Sequence, residues 1–125
     1  MDSNDFERDL ANAQELMRSE KYQEALDILD ELKEADKAGD FDYNLTHKLY
    51  QLISNSQSLY NQQRVLSVVK KITQKQKSIS FLDLQEMLNK QEKVALDEQV
   101  LRREVEILIL RSLLNCKIEG NDLIF

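Results

Sequence analysis

Proline and tryptophan are absent from this chain, and glycine occurs only at Gly39 and Gly120 among its 125 residues. Tight turns draw heavily on Gly and Pro, so a sandwich or barrel of many short strands is disfavoured and a helical fold is permitted. One cysteine, Cys116, has no partner for an internal disulfide, which fits a reducing compartment. One histidine, His47, leaves neither an HExxH nor a Cys/His set with zinc-ligand spacing. Two isolated glycines rule out a glycine-rich phosphate loop. The longest apolar run, Ile107–Leu110, falls far short of the roughly 20 residues a membrane-spanning helix needs. Met1 is followed by Asp2, Asp5, Glu7 and Asp9, which is not the basic start of a secretory signal. No cofactor and no metal is expected, and the reading is of a soluble cytoplasmic or nuclear protein.

What is present is charge and helical periodicity. Acidic residues number 23 against 17 basic, a net charge of −6, which argues against a polyanion as the main ligand. Apolar residues make up 42% and charged residues 32%, the profile of one folded domain rather than a disordered tail. Residues three and four apart share a helix face, and on that spacing five or six helices emerge. Phe6, Leu10, Ala13 and Met17 mark a first helix; Tyr22, Ala25, Leu26, Leu29 and Leu32 mark a second. The short break between them predicts an antiparallel hairpin, and Gly39 reads as a left-handed cap on the second helix.

Leu45, Leu49, Leu52 and Ile53 mark a third helix, which the polar run Ser54–Ser58 is expected to end. Val65, Val68, Val69 and Ile72 mark a fourth, with Lys70, Lys71, Lys75 and Lys77 at the negative end of its dipole. Ser80, with Asp83 three residues on, resembles a capping box for a fifth helix bearing Phe81, Leu84, Met87 and Leu88. A last helix is predicted from about Asp97 to Cys116, apolar on most sides near its end, and so either central in a core or covered by a partner. The fold class is therefore all-α, an antiparallel helical-hairpin array over residues 1–125.

No constellation of side chains points to catalysis. His47 lies off the apolar stripe of its helix, and Cys116 reads as a small buried hydrophobe. Asp27, Asp30, Glu31 and Glu34 lie on the polar face of the second helix, as a solvated face requires. Tyr22, Tyr43, Tyr50 and Tyr60 are expected in hairpin packing rather than base stacking. The expectation is a protein that is not an enzyme.

Ala13–Met17 followed by Lys21–Leu26 resembles the middle of a tetratricopeptide hairpin, in which Ala25 lets two helices approach closely beneath Tyr22. No second copy recurs at a period of about 34 residues. Tyr22–Lys37, Leu49–Ser54, Gln62–Ser80 and Leu101–Ile118 together resemble scaffold subunits of the PCI family, found in the proteasome lid, the COP9 signalosome and translation initiation factor three. The closest likeness is to the N-terminal helical repeats of a non-ATPase scaffold subunit of the proteasome lid. The resemblance implies a structural role among the protein subunits of a large assembly and, on this placement, a fragment of a longer subunit.

A second placement puts a sub-boundary near residue 78 and reads the rest as a small winged-helix-like end. Lys117–Phe125 would then be a β-hairpin turning at Gly120–Asn121, although turn preference favours the order Asn-Gly. On that placement Arg102, Arg103, Arg111 and Lys117 are candidates for nucleic-acid contact, against the simpler reading that they balance Glu98, Glu104 and Glu106. A peptide-binding groove is a third reading, for which no ligand-holding residues stand out. Leu123, Ile124 and Phe125 are the candidate protein-interface residues; three large apolar side chains at a terminus would fray into water unless they pack as a strand or helix start, or the chain is cut from something longer.

Overall fold

In the computed structural model, which describes residues 1–125, the apolar stripes become the buried faces of helices. The elements are α1 (Ser3–Arg18), α2 (Tyr22–Ala38), α3 (Tyr43–Ile72), β1 (Ser78–Ser80), α4 (Phe81–Glu92), α5 (Glu98–Leu110), β2 (Lys117–Glu119) and β3 (Asp122–Ile124). They form two compact units, Met1–Tyr60 and Asn61–Phe125, with α3 contributing to each. The second unit begins well before residue 78 because Val65, Val68, Val69 and Ile72 supply part of its core. The chain is mainly helical, as expected.

In the first unit, α1 and α2 form the predicted hairpin, and Ala25 is fully buried. The core is Phe6, Leu10 and Ala13 from α1, Leu29 and Leu32 from α2, and Leu49 and Leu52 from α3. Asp2 caps α1 by accepting from the Asp5 amide at 2.8 Å. Thr46 Oγ1 donates to Asp36 Oδ1 at 2.6 Å and ties α3 to α2. Gly39 is not a left-handed cap: its φ is −116°, ordinary extended backbone. It is required for space instead. A Cβ there would lie 2.5 Å from Phe41 Cε2 and 3.1 Å from the Ala35 carbonyl oxygen, and Phe41 packs on Phe6 with ring centroids 4.5 Å apart.

The left-handed turns are made by residues other than glycine. Glu20 (φ 60°) follows α1, Lys93 (φ 54°) follows α4 and Ser112 (φ 61°) follows α5. At Glu20 and Ser112 the hydrogen bonds are those of a Schellman motif. Glu20 N–H donates to the Met17 carbonyl and Lys21 N–H to that of Leu16; Ser112 N–H donates to Ile109 and Leu113 N–H to Leu108, all at 2.9–3.0 Å. The last helix consequently stops at Leu110 rather than Cys116. The third and fourth predicted helices are one continuous helix, α3, running through Ser54–Ser58. Ser and Asn in a helix cost only a few tenths of a kcal/mol each, and buried Leu49, Leu52, Val65 and Val68 on either side outweigh that.

The second unit runs helix, strand, helix, helix, hairpin, with sheet order β1-β3-β2 and both pairings antiparallel. A last strand inserted between the first and second is the winged-helix arrangement. Ser80 Oγ accepts from the Asp83 amide at 3.1 Å and Asp97 Oδ1 from the Val100 amide at 2.8 Å, capping α4 and α5. The hairpin turns at Gly120–Asn121, with positive φ at Gly120 (59°) and not at Asn121. That is the type II′ pattern, which takes glycine first and explains the Gly-Asn order. The register aligns Ile118, Leu123 and Ile79 across the sheet, where Leu123 and Ile79 are buried and Ile118 packs on the same core.

Two substitutions separate these backbone effects. Gly39→Ala should lower unfolding stability by about 1–3 kcal/mol, since Phe41 must leave its place on Phe6. Ser112→Gly should raise it by about 1 kcal/mol by relieving a left-handed non-glycine residue. Urea unfolding followed by circular dichroism measures both, and the opposite sign in either case contradicts the assignment.

Candidate functional site

The side chains with catalytic potential are scattered. His47 is exposed on α3, stacked on Tyr43 with centroids 6.1 Å apart, and lies in the first unit, whereas Cys116 lies in the second. Cys116 is half-buried against the core, and that burial pushes its thiol above the usual range, away from the reactive thiolate. Asp27, Asp30, Glu31 and Glu34 are exposed along α2, with Gln23 donating to Asp27 and Lys37 to Glu34. No three His, Cys, Asp or Glu side chains are grouped so as to hold a metal ion. No helix is long and apolar enough to cross a membrane.

Three of the four basic residues considered for nucleic-acid contact are engaged within the second unit. Arg102 lies over the Phe81 ring at 4.4 Å, donates to the Gly120 carbonyl at 3.0 Å and pairs with Glu98 at 3.6 Å. It braces the hairpin against α4 and α5. Arg111 Nη1 donates to Gln62 Oε1 at 2.6 Å, and Gln62 Nε2 donates to Glu104 Oε2 at 3.0 Å. Arg103 pairs with the other oxygen of Glu104 at 3.3 Å. Lys117 is exposed, 3.8 Å from exposed Glu119, a pairing that salt largely screens.

Glu104 is the residue sequence reasoning placed wrongly. It reads as one more balancing acid on a charged helix, yet it is fully buried on the same face of α5 as Leu101, Val105 and Leu108. Its position three residues after Leu101 and four before Leu108 was the available signal. A buried carboxylate persists only where hydrogen bonds compensate its lost hydration, and Gln62 and Arg103 supply them.

The terminal apolar residues are placed by the sheet. Leu123 is fully buried in the core of the second unit, and Ile124 and Phe125 are half-buried, with Phe125 packed on that core. The Phe125 amide donates to the Lys77 carbonyl at 2.9 Å, extending the pairing of β3 with β1. Leu123 therefore cannot serve as a free interface residue. The exposed leucines of this unit are Leu82 on α4, at 62%, and Leu110 and Leu113, at 84% and 48%, the last two on either side of the Ser112 turn. Sequence reasoning placed both within one helical belt, because no glycine marks the stop. Tyr43 and Tyr50 are also exposed, at 78% and 41%, rather than packed in hairpins.

Compared with known proteins, the chain matches no family model, no curated protein and no solved structure.

The Glu104 assignment yields a prediction. Glu104→Ala should destabilise the protein by about 3 kcal/mol, because it leaves a cavity and removes the acceptor of the Gln62 Nε2 hydrogen bond, whereas Glu104→Gln, which keeps an acceptor there, should cost about 1 kcal/mol. Equal losses for the two variants in thermal unfolding would contradict the network.

Proposed function

We propose that this protein is a non-catalytic structural subunit that holds protein neighbours together in a large assembly. The observation that carries the reading is the apolar surface at the end of α5. Leu110 at the end of α5 and Leu113 just beyond it are both exposed, three residues apart across the Ser112 turn. Exposed large apolar side chains clustered at one place mark an interaction site more often than scattered single ones do. Interface energy concentrates in such anchors once a partner excludes water from them.

The assembly proposed is of the PCI type, with the proteasome lid as first address and the COP9 signalosome or translation initiation factor three as alternatives, in the cytoplasm or nucleus. Two things support it: the pattern resemblance over Tyr22–Lys37, Gln62–Ser80 and Leu101–Ile118, and the order of a helical unit followed by a winged-helix unit. A nucleic-acid role for the winged helix gains no support, since Arg102, Arg103 and Arg111 are spent on internal contacts.

The test is affinity isolation of the tagged chain from the cells that make it, as wild type and as the Leu110→Glu, Leu113→Glu variant. Wild type should elute with a fixed set of subunits in constant stoichiometry, and the variant should lose at least one neighbour while unfolding at the wild-type temperature. A wild-type chain eluting alone would overturn the proposal.

A further inference from the structure

A second surface in the Asn61–Phe125 unit is defined by charge rather than by apolar area. The chain is acidic, yet this unit holds 11 basic and 9 acidic residues, whereas Met1–Tyr60 holds 6 and 14. Within residues 70–77 there are four lysines, Lys70, Lys71, Lys75 and Lys77, and no acid. Every residue from 73 to 78 is exposed, as are Lys70 and Lys71. None of the four lysines forms an ion pair. The dipole of α3 accounts for Lys70 and Lys71 in its last turn, but Lys75 and Lys77 lie beyond the helix. The turn carrying them is fixed at both ends. The Lys75 and Gln76 amides donate to the Ile72 carbonyl at 2.9 Å, and the Lys77 carbonyl accepts from Phe125.

Beside the turn lies a shallow cleft of about 250 Å³, lined by Gln76, Ile79, Asp83, Glu86, Met87 and Lys90. It adjoins the lysine turn through Gln76, has apolar wall at Ile79 and Met87, and carries one more lysine, Lys90, on the same helix as two carboxylates, Asp83 and Glu86. This mixture decides the partner. A continuous phosphate backbone leaving Lys75 and Lys77 for the cleft would meet Asp83 and Glu86, and no aromatic side chain there offers a base a stacking platform. Anionic lipid headgroups would meet the same two carboxylates. A peptide can place its acidic side chains on the lysines and an apolar one against Ile79 and Met87.

We infer that Lys70, Lys71, Lys75, Lys77 and the adjoining cleft form a docking surface for an acidic protein segment carrying an apolar anchor residue. The inference rests on the assembly reading only in taking a protein as partner; the surface is separate from Leu110 and Leu113. Charge complementarity of this kind raises association rate and selects partners, and it weakens with salt.

The experiment is fluorescence anisotropy of the full chain with two probes of equal net charge, a labelled Glu/Leu peptide and a labelled single-stranded oligo-uridine RNA. The peptide should bind more tightly than the RNA and lose affinity about tenfold between roughly 50 mM and 300 mM salt. The variant Lys70→Gln, Lys71→Gln, Lys75→Gln, Lys77→Gln should lose at least about tenfold in peptide affinity, equivalent to about 1.4 kcal/mol. All four side chains are exposed, so its unfolding temperature should fall only by the small loss of Lys70 and Lys71 at the end of the α3 dipole, with the native circular dichroism spectrum kept. Met87→Ala should weaken the Glu/Leu peptide but not an all-Glu peptide of the same charge. The Leu110→Glu, Leu113→Glu variant should bind the peptide as wild type does, so failure of the assembly reading at that surface leaves this result intact. Tighter binding of the RNA, or peptide affinity unchanged by the four lysine substitutions, would overturn the inference.

Discussion

The burial of Leu123 between two strands and three helices is the contact on which the Asn61–Phe125 unit depends. Leu123 sits on β3, the middle strand, opposite Ile79 of β1 and Ile118 of β2, and belongs to one core with Val65, Val68, Phe81, Leu84, Leu101, Val105 and Leu108. A three-residue strand has little stability of its own, and a lone two-stranded hairpin is marginal in water. The sheet exists because its central side chain fills the space the helices leave. The rest follows in order: the hairpin must fold back to reach β1, so α5 must stop before it, and Ser112 stops it by adopting a left-handed conformation.

That stop also bounds the exposed surface. Had α5 continued to Cys116, Leu110 and Leu113 would have remained on one helix, and residues 111–116 would not have been left to carry the chain back to β2 and β3. Leu110, two residues after buried Leu108, faces away from the core by helix geometry, and Leu113 is exposed just after the Ser112 turn, while Leu114 and Cys116 still pack on the core. Arg102 secures the result from outside, with its guanidinium over Phe81 and its hydrogen bond to the Gly120 carbonyl holding the tip of the hairpin. Glu104 secures it from within by joining α5 to Gln62 on α3.

The helices and most of their ends were legible in the sequence; the false break at Ser54–Ser58 and the stop of α5 at Leu110 were not. The stripes at Phe6–Met17, Tyr22–Leu32, Val65–Ile72 and Phe81–Leu88 all lie on buried faces, and the Ser80 cap stands where its spacing put it. Burial along a stripe is a strong signal because it sums over many residues. Helix ends rest on single residues, and here the usual punctuation is missing or misleading. Gly39 is extended and serves to admit Phe41, whereas Glu20, Lys93 and Ser112 take the positive φ that glycine normally takes. Ser54–Ser58 looked like a break because weak local preferences were not weighed against a helix anchored on both sides. Of the candidate site, the terminal Leu123–Phe125 was recognised as a feature needing explanation, and the strand is that explanation. The spacing of Leu110 from Leu108 put it off the buried stripe, whereas the exposure of Leu113 could not be found without knowing where α5 stops.

Amide hydrogen exchange of the isolated chain, resolved at β3, tests the keystone role of the last strand most directly. If Leu123 holds the unit together, the amides of Asp122–Ile124 should exchange only through opening of the whole unit, at the same slow rate as Val105 and Leu108 in α5. Exchange of β3 at the rate of an unstructured peptide, with Val105 and Leu108 still protected, would contradict it.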